Sequence, residues 1–196
     1  MTRPTDWGRI ARPSVLVFGL ASVAVCAAVQ PTTAYAQATQ APTQEAPGAT
    51  LADAAEVRDG DLIRGLLQGG ADVDVKQVDG MTALHWAVYH DDANMARLFM
   101  RSGADVNVQN RYGVPPLSTA ATNGNATIVR LLLDAGADPK ETLEGGETVL
   151  MVAARTGSLE AVEALLAKDA DPNVRERREQ TALMWAAAEG HTPVVE

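Results

Sequence analysis

Thr-Ala-Leu-His-Trp-Ala-Val, residues 82–88, has four counterparts elsewhere in this chain, each centred on a leucine. The leucines stand 33 residues apart throughout, at Leu51, Leu84, Leu117, Leu150 and Leu183. A fixed period of this length indicates a repeat architecture, in which every copy is one supersecondary unit. The repetition, rather than the local propensity of any one segment, is therefore the first guide to the fold.

Two further blocks keep the same period. Pairs of apolar residues follow four of the leucines, at 66–67, 99–100, 132–133 and 165–166. A Gly-Ala-Asp block, with Asp in place of Gly in its last copy, comes next at 70–72, 103–105, 136–138 and 169–171. Chance does not place several independent blocks in one register.

These residues resemble the ankyrin repeat, whose pattern centres on T-P-L-H-x-A-A, V-x-x-L-L and G-A-D-x-N. The resemblance covers residues 49–196 and implies an all-α solenoid. Each unit is expected to contain a helix, a tight turn, a second helix and a β-turn finger. The units predicted are 49–78, 79–111, 112–144, 145–177 and a truncated fifth unit, 178–196. Since a unit of this size cannot bury its apolar face alone, stacking of neighbours supplies the core.

Local signals agree with these boundaries. Thr82, Thr148 and Thr181 precede short apolar runs, where a hydroxyl can cap the free amides of a helix start. Asp169 and Glu179 replace glycines that the other units carry, so the fourth finger is predicted to be less regular. The fifth unit stops before its second helix is complete, which predicts that more repeats follow residue 196.

The first 48 residues have a different character. Residues 1–36 combine three arginines, an apolar run from Val15 to Val29 and the sequence Ala34-Tyr35-Ala36. A basic segment, a short apolar segment and an A-x-A site describe a secretory signal peptide cut before Gln37, with a second cut after Ala38 also compatible. Residues 37–48 are Gln, Ala, Thr and Pro-rich, and are predicted to be a flexible linker.

The net charge restricts the classes of partner, and the cysteine content restricts disulfides and metal sites. The formal net charge is −9. Removal of residues 1–36 makes the chain more acidic, so direct binding to nucleic acid is not expected. The single cysteine, Cys26, falls in the segment to be removed, and the mature chain then has no disulfide or Cys-based metal site.

No catalytic or cofactor-binding motif is found, and the sequence predicts no enzyme activity, no cofactor and no metal site. His85 falls on the histidine of the repeat pattern, where the family uses it for hydrogen bonds between the repeat's own loops. His90 follows the first helix of its unit and is expected to be exposed. Trp86 and Trp185 share one repeat position and are expected in the core.

In the ankyrin family, partners lie along the concave face that the fingers and inner helices form. When the family's contact positions are aligned with this sequence by repeat register, the predicted partner-binding residues are Tyr89, His90, Arg111, Tyr112, Thr122, Asn123, Arg155, Thr156 and Glu189. Tyr89, Arg111, Tyr112 and Arg155 are the strongest candidates, because Tyr and Arg concentrate binding energy at interfaces.

The sequence therefore predicts a monomeric, exported scaffold, periplasmic or secreted, that binds a partner protein and leaves the membrane after signal cleavage. The main alternative is a regulatory or targeting module of a larger protein, with a further domain beyond residue 196. A small-molecule or metal binder is a third reading, which the absence of a deep pocket in a thin solenoid disfavours.

Overall fold

The computed structural model describes residues 49–196, and within them the chain forms ten helices. The predicted signal peptide and linker lie outside the described residues. The helices are α1 (Leu51–Glu56), α2 (Gly60–Gln68), α3 (Ala83–Tyr89), α4 (Ala93–Arg101), α5 (Pro116–Thr122), α6 (Ala126–Asp134), α7 (Val149–Thr156), α8 (Leu159–Leu166), α9 (Ala182–Ala188) and α10 (Thr192–Val195). Two helices fall in each predicted unit, which confirms the helix–turn–helix reading.

Polar residues fix where the first helix of each unit begins. Thr50 and Asp53 form a reciprocal capping box at α1, with Asp53 N–H donating to Thr50 Oγ1 at 3.2 Å. Thr148 accepts from the Met151 amide in the same way at α7. At α5 the place is taken by Pro115, and Pro116 occupies the first turn, where a missing N–H costs nothing.

The helices form two parallel layers. The inner layer runs α1–α3–α5–α7–α9, each helix packing on the next, and α4, α6 and α8 are neighbours in the outer layer. Alanines of the inner helices are fully buried and allow this close approach, as Ala87, Ala120 and Ala153 illustrate. The result is the stacked solenoid that the 33-residue period predicts.

The repeating leucines form the spine of the core. Leu51, Leu84, Leu117 and Leu150 are all buried, with Leu117 only 1% exposed. Leu183, in the same register, is 55% exposed, because no further unit covers it in the described residues. Burial of these leucines therefore depends on the unit that follows, since Leu51 is buried although no unit precedes it among the described residues.

Each finger is a tight hairpin closed by backbone hydrogen bonds. The amides of Gln77, Asn110, Leu143 and Glu176 donate to the carbonyl oxygens four residues later, at 2.9–3.2 Å. Adjacent fingers are also linked, since Arg111 N–H donates to the Asp79 carbonyl oxygen at 2.9 Å. Gly80 at this contact has φ +82°, and a Cβ there would lie 2.6 Å from Arg111 N.

The prediction of an irregular fourth finger is wrong. Glu179 adopts φ 60° where the other fingers have glycine, and its amide still donates to the Glu176 carbonyl oxygen at 2.8 Å. The buried Glu176 carboxylate also accepts from the amide of Arg178 at 2.9 Å. Asp169 likewise holds the left-handed conformation, with φ 63°. Hydrogen bonds thus impose the turn on residues that do not favour it.

Candidate functional site

The inner helices and the fingers form the walls of an open groove of about 580 Å³ at the first two units. α1 contributes Asp53 and Glu56, its capping residue Thr50 also lines the groove, and α3 contributes Trp86. The two adjacent fingers supply the other wall, with Lys76, Gln77, Val78, Asp79, Arg111 and Tyr112. This first groove lies on the side of the stack formed by the inner helices and the fingers, where the partner face was predicted.

Large apolar side chains are unusually exposed around the first groove. Val78 at the tip of the first finger is 95% exposed, Tyr112 is 63% exposed and Tyr89 is 59% exposed. Aromatic rings dominate the energetics of protein interfaces, and clustered exposed apolar groups mark interaction surfaces. The composition of this rim suits binding of another macromolecule.

Three rings pack together on the α3 side of the first groove. The Trp86 and Tyr89 rings meet edge to face with centroids 5.5 Å apart, and the His90 ring stacks on Trp86 at 5.9 Å. The His90 Nε2 atom lies 3.0 Å from the Glu56 carbonyl oxygen of the preceding unit. The prediction that His90 is exposed is therefore wrong: the ring is half-buried because the preceding helix end and Trp86 hold it.

A hydrogen-bonded chain connects the floor of the first groove to α1. The Trp86 indole N–H donates to Gln77 Oε1 at 2.6 Å. The amide nitrogen of Gln77 in turn donates to Asp53 Oδ1 at 2.8 Å and to Glu56 Oε2 at 2.9 Å. Trp86, expected in the core, is half-buried: it packs against the core and also lines the groove. The hydrogen bonds from Trp86 through Gln77 to α1 fix the orientation of the indole ring.

The Asp53 carboxylate is held in its charged form by the same contacts. Hydrogen bonds from the Gln77 side chain, and then from the backbone and hydroxyl of Thr50, hold the pKa of Asp53 below its ordinary value. The carboxylate therefore carries its negative charge throughout the neutral range.

A smaller groove of about 180 Å³ lies farther along the same side of the stack, lined by Arg155, Gln180, Trp185, Ala188 and Glu189. The Arg155 guanidinium sits over the Trp185 ring, 5.3 Å from its centroid. Trp185 is half-buried like Trp86, and it too packs against the core as well as lining a groove. Its indole N–H has no partner among the described residues, because the residue in the register of Gln77 is Glu176, which caps its own finger.

Several predicted partner residues are engaged in holding the stack together. The Asn123 amide donates to the Val88 carbonyl oxygen at 3.1 Å, and the Thr156 hydroxyl lies 3.2 Å from the Ala121 carbonyl oxygen. Both acceptors belong to the preceding unit. The Thr122 hydroxyl donates within its own helix, to the Ser118 carbonyl oxygen. These side chains lie on the predicted face, but their polar atoms have intramolecular partners.

The four strongest candidates, Tyr89, Arg111, Tyr112 and Arg155, are all exposed. Arg111 and Tyr112 line the first groove together, with the guanidinium 5.3 Å from the ring centroid. Arg155 lines the second groove with Glu189. The structure does not bring all nine predicted residues to one site; it distributes them along one face. Sequence reasoning missed Gln77, whose role depends on the distance between a finger and an inner helix.

His85 has a structural role between loops. The ring is fully buried, its Nδ1 accepts from the Thr82 amide at 3.2 Å, and its Nε2 lies 3.2 Å from the Val114 carbonyl oxygen. The second contact reaches the following unit, so the bond is not confined to the repeat's own loops as expected. Burial lowers the pKa of His85, which favours the neutral ring.

Within residues 49–196, no group of three or more His, Cys, Asp or Glu side chains is arranged to hold a metal ion. None of the helices in this part of the chain is both long and apolar enough to cross a membrane.

Comparison with known proteins agrees with the architecture. The family model described as "Ankyrin repeats (3 copies)" matches residues 51–143 and again residues 136–196. No curated protein matches the chain. The two matched segments cover more than half of the chain and coincide with the stacked helical units. The chain belongs to the ankyrin-repeat family.

Proposed function

We propose that this protein is an exported, non-enzymatic scaffold that binds a partner protein along its concave face. Ankyrin repeats generally mediate protein–protein interaction, and the family is typically non-enzymatic. The observation that carries the proposal is the exposed aromatic and apolar rim of the first groove, with Val78, Tyr89 and Tyr112. Exposed side chains of this kind lower the solubility of a protein, and they typically mark a surface that another molecule covers.

The partner is a protein rather than a nucleic acid. The chain has 25 acidic residues against 16 lysines and arginines, and this excess repels a phosphate backbone. The scaffold acts as a monomer that presents the ribbon of fingers and inner helices. Neither groove encloses a substrate, since both are open and lined by surface side chains.

Partner binding is tested by capture. Immobilised mature protein is incubated with a cell-envelope extract, beside a variant in which Tyr89, Arg111, Tyr112 and Arg155 are alanine. We expect a specific partner on the wild type that is lost from the variant, while circular dichroism shows both folded. A double variant of the outer face, Arg101→Ala with Arg130→Ala, removes the same two positive charges and is expected to retain the partner. Equal capture by all three proteins would refute the concave face as the binding surface.

Export is a separate part of the proposal and rests on the pattern of residues 1–36. The full chain, fused to a reporter phosphatase that is active only after export, is expected to give activity in the periplasm or medium. Amino-terminal sequencing of the product is expected to begin at Gln37, or at Thr39 if the second site is used. An uncleaved, inactive fusion retained in the cytoplasm would contradict export.

A further inference from the structure

Two carboxylates in the first groove share a single neutral donor. The Gln77 amide nitrogen donates to both Asp53 Oδ1 and Glu56 Oε2, so the two side chains are held close together. Among residues 49–196, neither lies within 4.0 Å of a lysine, arginine or histidine nitrogen. Like charges side by side repel each other, and a cation placed between them would be attracted by both.

A third carboxylate faces the same space. Asp79 lines the first groove, and one of its oxygens accepts from the Met81 amide at 3.0 Å. No ion pair forms at Asp79 within the described part of the chain. The groove thus contains three carboxylates that the fold does not neutralise by direct contact.

The two cations of the groove are engaged elsewhere. Lys76 Nζ donates to the Gln109 carbonyl oxygen at 3.2 Å. The Arg111 guanidinium lies over the Tyr112 ring. Neither forms an ion pair with Asp53 or Glu56. An incoming cation would therefore not have to displace either of them.

The Trp86 ring completes the site. Its indole N–H is bound by Gln77, the residue that also bridges the two carboxylates, so ring and carboxylates are fixed relative to each other. His90 stacks on the ring, and Trp86 also lines the groove. An indole face is the best aromatic surface for a cation, and nearby carboxylates add to the attraction.

We propose that the first groove binds a positively charged segment of the partner protein, with one lysine or arginine side chain held between the Trp86 ring and the carboxylates of Asp53 and Glu56. The stem of that side chain packs on the indole, and its charged end lies at the carboxylates. This inference rests on the proposed function, because it names the chemistry of the partner that the scaffold recognises.

Fluorescence anisotropy with a labelled Gly-Ser peptide that carries arginines tests the proposal. The control peptide replaces each arginine by citrulline, which keeps the shape and removes the charge. We expect the arginine peptide to bind at least about tenfold more tightly than the citrulline peptide at low ionic strength, and the difference to shrink as salt is added.

Three variants locate the effect. Glu56→Gln keeps an acceptor for Gln77 and removes one charge, and is expected to weaken binding of the arginine peptide by about three- to tenfold. Glu163→Gln removes the same charge from the outer helix α8 and is expected to change the affinity by less than about twofold. Trp86→Leu is expected to weaken binding by about tenfold through loss of the indole face.

Equal binding of the arginine and citrulline peptides, or equal effects of Glu56→Gln and Glu163→Gln, would overturn the proposal. The capture experiment separates this failure from failure of the scaffold function. If the partner binds the wild type and Glu56→Gln alike, and only the four-alanine variant loses it, the scaffold function stands and the cationic anchor is refuted. If the wild type captures nothing on its concave face, the scaffold function fails as well.

Discussion

Replacing Leu117 by alanine is the sharpest test of how the repeats stabilise one another. The side chain is 1% exposed, in the inner helix α5 between α3 and α7. Truncation removes three carbon atoms, which at roughly 0.8 kcal/mol each gives about 2.4 kcal/mol of lost transfer free energy. The cavity left between two packed neighbours raises the expected loss to about 3–5 kcal/mol.

Leu183 provides the matched control. It occupies the same register in α9, but 55% of it is exposed and no later unit covers it in the described residues. Leu183→Ala therefore removes the same atoms with less than half of the burial and with no enclosed cavity, and is expected to cost about 1 kcal/mol.

The assay is urea unfolding of the mature protein, followed by far-ultraviolet circular dichroism. We expect Leu117→Ala to lower the midpoint strongly and Leu183→Ala to lower it slightly, with similar slopes if unfolding stays cooperative. Equal losses for the two variants would refute the reasoning, because burial between neighbours is the only difference it invokes.

Three further predictions follow from individual contacts. Acidification from about pH 7.5 to about pH 5.5 is expected to destabilise the wild type. Burial holds the pKa of His85 lower in the fold than in the unfolded chain. The unfolded chain therefore takes up the proton first as pH falls through about 6.5, and stability is lost with it. His85→Gln keeps a capping acceptor for Thr82 and should flatten that dependence in urea titrations; an unchanged slope would assign it to other groups. Gly80→Ala should lower the melting temperature more than Gly113→Ala. Both glycines have positive φ, but only at Gly80 would a Cβ meet the next finger. Equal decreases in melting temperature would contradict the finger contact. Glu179→Gly should stabilise the protein by about 0.5–1 kcal/mol by relieving a left-handed conformation, and a lower melting temperature would show that the side chain contributes more than the strain.

The fold was predictable because the same sequence pattern recurs several times at a period of 33 residues. Leu84 alone is compatible with many helices, but the same residue 33 positions on either side places it in a stack. The capping threonines were predictable for a similar reason, since the hydroxyl and its amide partners are close in sequence.

The fourth finger shows where pattern reasoning fails. Loss of glycine at Glu179 predicts an irregular turn only if glycine is what makes the turn. In the structure the backbone bond to Glu176 and the capping by its carboxylate hold the conformation. A cost of about 1–2 kcal/mol for the left-handed residue is offset by those bonds.

The contents of the site were less predictable than its position. The register places Tyr89 and Tyr112 on the concave face, and both are exposed there. The same register assigned Trp86 to the core, against which it packs. It does not reveal that Gln77 Oε1 of the adjacent finger lies 2.6 Å from the indole nitrogen. Such contacts depend on distances between elements, which the sequence period does not encode.

Hydrogen–deuterium exchange of the mature protein, with and without its captured partner, tests the central claim most directly. Binding along the concave face predicts slower exchange in the fingers at 76–81 and 109–114 and at the end of α3, with α4, α6 and α8 unchanged. Protection confined to the outer helices, or no protection in either finger, would contradict the account.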